Sequence, residues 1–106
     1  MPVINVSELE GAHLKGGAHG ATISLIVDDS EPGRGPRLHR QPHDETWFVQ
    51  EEQLTFQLDE ETLKAGAGDI VIVPPNVPHK FTNLGPGRCK LICIHANPSF
   101  VTEWLE

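Results

Sequence analysis

The sequence predicts an all-β protein, an antiparallel sandwich or barrel built from short strands. Most of the chain lacks helical periodicity, and its apolar residues occur instead in short runs that are continuous or alternate with polar residues. Glycine, proline and aspartate separate these runs, as in proteins of many short strands and tight turns. The 106 residues suffice for one domain, which we expect to span residues 1–106 and to bury roughly two-thirds of its unfolded surface.

Two predicted strands indicate how the sheets are exposed. In QLTFQL, residues 53–58, Leu54, Phe56 and Leu58 alternate with polar residues, which predicts a strand with one face in water. In DIVIVP, residues 69–74, both faces are apolar, so we expect both faces to be covered. The other strands predicted in chain order are 22–27, 45–50, 62–66, 79–83 and 89–96.

The final stretch, NPSFVTEWLE, predicts a short C-terminal helix. Asn97 can cap this helix, and Pro98 suits its first position. Four apolar side chains then fall on one helical face, namely Phe100, Val101, Trp104 and Leu105. A helix this short is marginal alone, which leaves two alternatives: it packs on its own barrel, or it reaches across a dimer interface.

Charge and apolar content argue against two classes of partner. Fifteen acidic and eight basic residues give a formal charge of −7, and the arginines form no cluster, which argues against nucleic acid. No apolar run approaches the roughly 20 residues that cross a bilayer, and the first residues do not resemble a signal peptide. We therefore expect a cytoplasmic protein that binds neither nucleic acid nor membranes.

The two cysteines agree with that location. Cys89 and Cys93 lie four residues apart in RCKLICIHA, a predicted strand. Four strand residues span roughly 13 Å, which is too far for a disulfide bond. We expect two reduced thiols in the core.

A cluster of possible metal ligands occurs in RLHRQPHDETW. In an extended chain, His39, Gln41, His43 and Glu45 share one face because alternate side chains point the same way. Two imidazoles with one carboxylate form a ligand set that leaves positions open for substrate or O₂. Trp47 continues this face and would line the pocket. The second imidazole has to come from elsewhere in the fold.

His79 is the best candidate for that second imidazole. Three prolines between residues 74 and 78 fix the backbone ahead of it. Asn76 can adopt the left-handed conformation that glycine usually takes. Phe81 shares the strand face of His79, and we expect it to line the pocket together with Trp47 and His95 of the last strand.

These spacings resemble the two motifs of the cupins, G-x5-H-x-H-x3-E-x6-G and G-x5-P-x-G-x2-H-x3-N. The first motif falls without a gap on Gly33, His39, Gln41, Glu45 and Glu52. The second falls without a gap on Gly68, Pro74, Asn76, His79 and Asn83. The surrounding stretches look like small single-domain bacterial cupins.

The resemblance implies a jelly-roll β-barrel, commonly a homodimer. A cupin metal, where present, is held by two histidines and a glutamate of the first motif and the histidine of the second. Carried over to this sequence, that implicates His39, Glu45 and His79. The donor types permit Fe, Mn, Ni, Zn or Co.

Three positions depart from the motifs. Asn76 in place of glycine is mild, and we expect the turn at Glu52 to take a form that suits a residue other than glycine. Gln41 in place of histidine matters more, because a neutral amide oxygen is a poorer ligand than imidazole for these metals. Gln41 is then a weak fourth ligand or a hydrogen-bonding neighbour of the ligands, or His43 replaces it, or the site holds no metal.

Three functions follow from these observations. The first is a metal-dependent enzyme acting on a small organic molecule, as a dioxygenase or an isomerase, in which Gln41 or His43 orients the substrate or shuttles a proton. The second is a non-catalytic module that binds a metal or a small molecule. The third is a metal-free catalyst such as a cyclase or epimerase.

Overall fold

Two five-stranded antiparallel sheets form the computed structural model, which describes residues 3–106. The strands are β1 His13–Leu14, β2 Ser24–Ser30, β3 His39–Arg40, β4 Glu45–Glu51, β5 Leu54–Leu58, β6 Glu61–Ala65, β7 Ile70–Val73, β8 His79–Asn83, β9 Cys89–His95 and β10 Glu103–Trp104. The first sheet has the order β1-β2-β9-β4-β7, and the second has the order β10-β3-β8-β5-β6. The all-β prediction is therefore confirmed.

The core lies between the inner faces of the two sheets. Along β4, Trp47 and Val49 are buried and the intervening Phe48 is exposed, which is the alternation of a strand covered on one face. Trp47 stacks on Phe56 of β5 with ring centroids 4.6 Å apart, and it meets Phe81 of β8 edge to face at 5.2 Å. These aromatic contacts join the first sheet to the second.

Two turns use residues other than glycine in the left-handed conformation. Asn76 has a φ of 65°, as expected for its position ahead of β8. Glu52 has a φ of 68°, so the expectation that its turn takes another form is wrong. Only two residues separate β4 from β5, and such short hairpin turns require positive φ. A glutamate there costs roughly 1 kcal/mol relative to glycine.

The prediction of a C-terminal helix is wrong. Glu103 and Trp104 form β10, which pairs antiparallel with β3, and the backbone N–H of Leu105 donates to the carbonyl of Leu38 at 2.9 Å. Arg40 on β3 also pairs with Glu103 at 2.7 Å. These contacts with the second sheet satisfy the backbone, whereas so short a helix would be marginal. Short 3-10 turns lie at Val6–Glu8, Glu10–Ala12 and Gly16–His19.

Within one chain the outer face of β7 is apolar and exposed, so residues 69–74 lack the expected cover on both faces. Ile70 and Ile72 of β7 are 62% and 65% exposed, while Val71 and Val73 point into the core. β7 is the edge strand of this sheet. Nothing else in residues 3–106 packs over these two isoleucines enough to bury them.

Cys89 and Cys93 are free and buried on β9, which confirms the expected core thiols. Burial raises the pKa of Cys89 to about 11, and it raises the pKa of Cys93 well above the ordinary value. Both side chains therefore stay protonated and behave as small apolar groups. Within residues 3–106, no helix has the length and apolar character needed to cross a membrane.

Candidate metal centre

The fold brings together His39, Glu45 and His79. Glu45 begins β4 of the first sheet, whereas His39 on β3 and His79 on β8 are register partners in the second sheet. One ligand atom from each residue lies within 4.8 Å of the others, and all three side chains are buried. Two imidazoles and one carboxylate converging from rigid strands form the ligand set expected from the sequence.

Backbone carbonyls fix the orientation of both imidazoles. His39 Nδ1 lies 2.7 Å from the carbonyl of Arg37, and His79 Nδ1 lies 2.8 Å from the carbonyl of Val77. A carbonyl only accepts, so each Nδ1 carries the proton and donates it. In the neutral rings, the lone pair is then on Nε2, the atom left to bind a metal, and this second contact is typical of histidine ligands.

The contact between His79 and Glu45 fits a bound cation. His79 Nε2 lies 3.1 Å from Glu45 Oε1, and both side chains are nearly inaccessible to water. With Nδ1 as the donor, a neutral His79 directs a lone pair at a carboxylate oxygen, and two acceptors repel. Either a proton on Nε2 or a metal ion between the two atoms removes that conflict. The residues present therefore fit a divalent metal ion.

Glu45 is the most heavily contacted side chain of the site. Gln41 Nε2 donates to Oε1 at 3.0 Å, the indole N–H of Trp47 donates to Oε2, and His95 Nε2 lies 3.1 Å from Oε2. Burial alone would raise the pKa of Glu45, but His79, His95 and Trp47 together lower that pKa below its ordinary value. The carboxylate therefore stays ionised and available as the anionic ligand.

Gln41 lies beside the ligands, at the place that the motif gives to a histidine. Its side chain is 2% exposed, and it contacts Glu45 through its amide nitrogen. In this orientation Gln41 is a hydrogen-bond donor to a ligand. Its role as a ligand or in catalysis stays a prediction.

His43 lies behind His95, away from the cavity. Its Nε2 is 3.0 Å from His95 Nδ1, and its Nδ1 is 3.4 Å from the amide nitrogen of Asn97. Burial and the neighbouring His95 lower the pKa of His43, which favours the neutral ring. Among the described residues, the cavity wall includes His95 but not His43. His43 is therefore connected to Glu45 through His95.

A cavity of about 460 Å³ opens beside the ligands. The predicted pocket residues Trp47, Phe81 and His95 all line it. The sequence did not indicate the contributions of Phe100, Thr102 and Trp104, because residues 97–106 were predicted to be helical. Two observations could have pointed to His95 as a neighbour of Glu45: the alternation of CKLICIH places it on the inner face, and adjacent strands supply side chains to one face.

Without metal, the free energy of unfolding is expected to fall as the pH is lowered from about 7.5 to about 3. Burial lowers the pKa of His39 below its ordinary value of about 6.5, and the pKa of Glu45 is below its ordinary value of about 4.3. The unfolded chain therefore binds these protons first, so stability decreases below about pH 6.5 and again below about pH 4.3. Urea unfolding across this range measures the effect, and Glu45→Gln should flatten the lower step. Constant or rising stability would contradict this prediction.

A comparison with known protein families assigns the chain to one of them. The family described as "Cupin domain" matches residues 27–95, which include all three candidate ligands. The chain belongs to the cupin family. Its two sheets are the cupin double-stranded β-helix, so the resemblance seen in the two motifs is confirmed.

One curated relative and two solved structures are similar to this cupin. An uncharacterized protein of Methanocaldococcus jannaschii, MJ1618, is 31% identical over 55 residues, which are 52% of this cupin and 44% of that protein. The cupin thus matches less than half of the length of that relative.

The two structures share the fold at low sequence identity. An uncharacterized Klebsiella pneumoniae protein with a double-stranded beta-helix domain has a TM-score of 0.74 and 24% identity, with 80% of this cupin and 76% of that chain covered. Oxalate decarboxylase of Bacillus subtilis, a protein with Mn(II) centres, has a TM-score of 0.77 and 21% identity, with 83% and 25% covered. At these identities the likeness shows the cupin fold alone.

Proposed function

We propose that this cupin is a metal-dependent enzyme acting on a small organic molecule. The observation that carries the proposal is the buried convergence of His39, Glu45 and His79, with both imidazoles held through Nδ1 and the carboxylate ionised. The ion would be Mn, Fe, Co, Ni or Zn. The Mn(II) centres of the structurally similar oxalate decarboxylase make manganese the first to test.

The chemistry proposed is of the dioxygenase or isomerase type. A bound metal ion supplies Lewis acidity and, if it is redox-active, an anchor for O₂. Held by three protein ligands, the ion would keep further coordination positions for a substrate or O₂. Trp47, Phe81 and Trp104 present apolar surface there, which would hold the substrate and exclude water from the reacting groups.

The test of this function combines metal removal with an activity screen. Protein purified without an affinity tag is first screened against small organic molecules for turnover. Removal of the metal by a chelator should abolish the activity found in that screen, and restoring the ion should recover it. Activity that survives metal removal would favour a cyclase or epimerase. Metal or ligand binding without turnover would favour a non-catalytic module.

Gln41→His is expected to tighten metal binding at least about tenfold, because imidazole is a better ligand than an amide and even partners outside the ligand set change affinity by about 10–100-fold. Isothermal titration of the metal-free protein with Mn(II) or Zn(II) measures the dissociation constant. Gln57→His, on the partly exposed strand β5, is the matched control. Unchanged affinity in Gln41→His would place residue 41 outside the ligand set.

The outer face of the first sheet supports a homodimer. Two rows of side chains cross this sheet in register, Leu25, Ile94, Thr46, Ile72 and Val27, Ile92, Phe48, Ile70. Both rows are uncharged, and the next row carries both signs, with Asp29 opposite Lys90 and Lys90 opposite Glu51. We propose that a second copy covers this face, because its two uncharged rows are mostly apolar and because pairing there leaves the cavity on the opposite side of the sheet open.

Ile72→Glu is expected to convert the dimer to a monomer, because a carboxylate would be buried without a partner within the interface. Light scattering coupled to size-exclusion chromatography measures the mass. Leu84→Glu, at another exposed aliphatic residue away from this face, should leave the dimer intact. A monomeric wild type, or an Ile72→Glu protein that stays dimeric, would contradict the proposal.

We also propose a cytoplasmic location, which the two free thiols support.

A further inference from the structure

A chain of polar contacts runs from the edge of the site to Glu45. Asn97 Nδ2 lies 3.4 Å from His43 Nδ1, His43 Nε2 lies 3.0 Å from His95 Nδ1, and His95 Nε2 lies 3.1 Å from Glu45 Oε2. His95 is 3% exposed, and His43 is half-buried. This series of contacts is not required to bring the three proposed ligands together, so its presence calls for a separate explanation.

The direction of the hydrogen bonds follows from the outer end of the chain. Asn97 Oδ1 accepts from the backbone N–H of Ser99, which turns the amide nitrogen toward His43. That nitrogen can only donate, so a neutral His43 accepts at Nδ1 and carries its proton on Nε2. His43 then donates to His95 Nδ1, and a neutral His95 carries its proton on Nε2, the atom nearest to Glu45.

His95 Nε2 is the one buried side-chain nitrogen or oxygen within the described residues that lacks a hydrogen-bond partner. Its distance to Glu45 Oε2 is that of a hydrogen bond, while its direction is not. The nitrogen therefore lies beside the carboxylate of Glu45, and among the described residues it makes no other hydrogen bond.

The two oxygens of Glu45 have different neighbours. Oε1 faces His79 and Gln41, whereas Oε2 faces Trp47 and His95. A carboxylate with both oxygens free can bind a metal through one or through both. Donors held against Oε2 favour Oε1 alone as the metal-facing atom.

We propose that His95 is a positioning residue of the metal site: it holds Oε2 of Glu45 beside Trp47, and His43 and Asn97 fix its Nε2–H tautomer for that purpose. The inference rests on the proposed metal-dependent function. It explains why His43, predicted as a ligand or proton carrier, lies behind His95 and off the cavity wall.

The first test uses metal-free protein and nuclear magnetic resonance of nitrogen-15 in the histidine rings, which distinguishes the tautomers. In the wild type, His95 should carry its proton on Nε2. In His43→Phe, which keeps an aromatic ring and removes the donor, a mixture of both tautomers is expected. A wild-type His95 protonated on Nδ1 alone, or a tautomer unaffected by His43→Phe, would overturn the proposal.

The second test uses Mn(II), with the paramagnetic resonance spectrum and the dissociation constant as readouts. His95→Phe keeps the edge-to-face contact with Phe100, and we expect an altered spectrum and about 10–100-fold weaker binding. His95→Gln places an amide N–H near the position of Nε2 and should restore both toward wild type. His19→Phe, at an exposed histidine, is the matched control.

The outcomes separate the inference from the function on which it rests. Metal binding by wild type, with the same spectrum and affinity in His95→Phe, would overturn the role of His95 and leave the metal site standing. Failure of wild type to bind any of the proposed metals would overturn both, even with the expected tautomer. An effect of His95→Phe that His95→Gln does not reverse would also count against the hydrogen bond as the cause.

Discussion

Glu45→Gln is expected to weaken metal binding at least about 100-fold, because Glu45 is the one anion of the ligand set and loss of a mere outer partner already costs about 10–100-fold. Glutamine has nearly the same shape, so the variant removes the charge and little volume. Titration of the metal-free protein with Mn(II) and Zn(II) measures the dissociation constants, and circular dichroism verifies that the variant is folded.

Glu103→Gln provides the matched control for that experiment. Glu103 is an exposed carboxylate paired with Arg40, and its pKa is lowered by that guanidinium, but it lies on β10 outside the ligand set. Its replacement should leave the dissociation constant unchanged. An equal loss of metal affinity in Glu45→Gln and Glu103→Gln would indicate that net charge, rather than the ligand set, governs metal binding.

Trp47→Ala is expected to lower the free energy of unfolding by about 3–5 kcal/mol, the range for truncating a large buried aromatic side chain. Trp47 is 1% exposed, stacks on Phe56, and meets Phe81 and His79 edge to face. It also donates its indole N–H to Glu45. Its loss therefore leaves a hole between the sheets and an unpaired carboxylate oxygen, and urea unfolding measures the cost.

Trp104→Ala is the control that shows whether burial, rather than the loss of a tryptophan as such, causes the loss of stability in Trp47→Ala. Trp104 contacts His39 with ring centroids 5.1 Å apart and lies under the guanidinium of Arg37, yet it is 51% exposed. Its truncation should cost less than half as much as that of Trp47, because less apolar surface returns to water. Similar losses at the two positions would contradict the placement of Trp47 at the centre of the core.

His39 and Glu45 could be predicted from the sequence because their spacing is local, and His79 joined them through the resemblance to the two cupin motifs. His39 and Glu45 lie six residues apart in one stretch, and His79 follows a run of prolines that rigidly positions it. The alternation of Leu54 and Phe56 likewise indicated a strand with one buried face, as observed. Such patterns depend on the two-residue period of a strand and on few distant contacts.

The missed features depend on contacts between distant segments. Residues 97–106 carry a good helix cap and helical apolar spacing, but pairing of β10 with β3 outweighed both. His95 was placed in the pocket, yet its approach to Glu45 arises only because β9 and β4 are register partners at those two residues. Glu52 adopts positive φ because the hairpin is short, which a residue preference alone does not reveal.

Metal analysis of the untagged protein tests the central claim most directly. The protein is stripped with a chelator, incubated separately with Mn(II), Fe(II), Co(II), Ni(II) and Zn(II), freed of excess ion, and analysed by mass spectrometry of its metal content. The ligand geometry predicts about one retained ion per chain for at least one of these metals, and none in a variant carrying both His39→Ala and His79→Ala. A folded wild type that retains none of them would contradict the assignment of His39, Glu45 and His79 as a metal site.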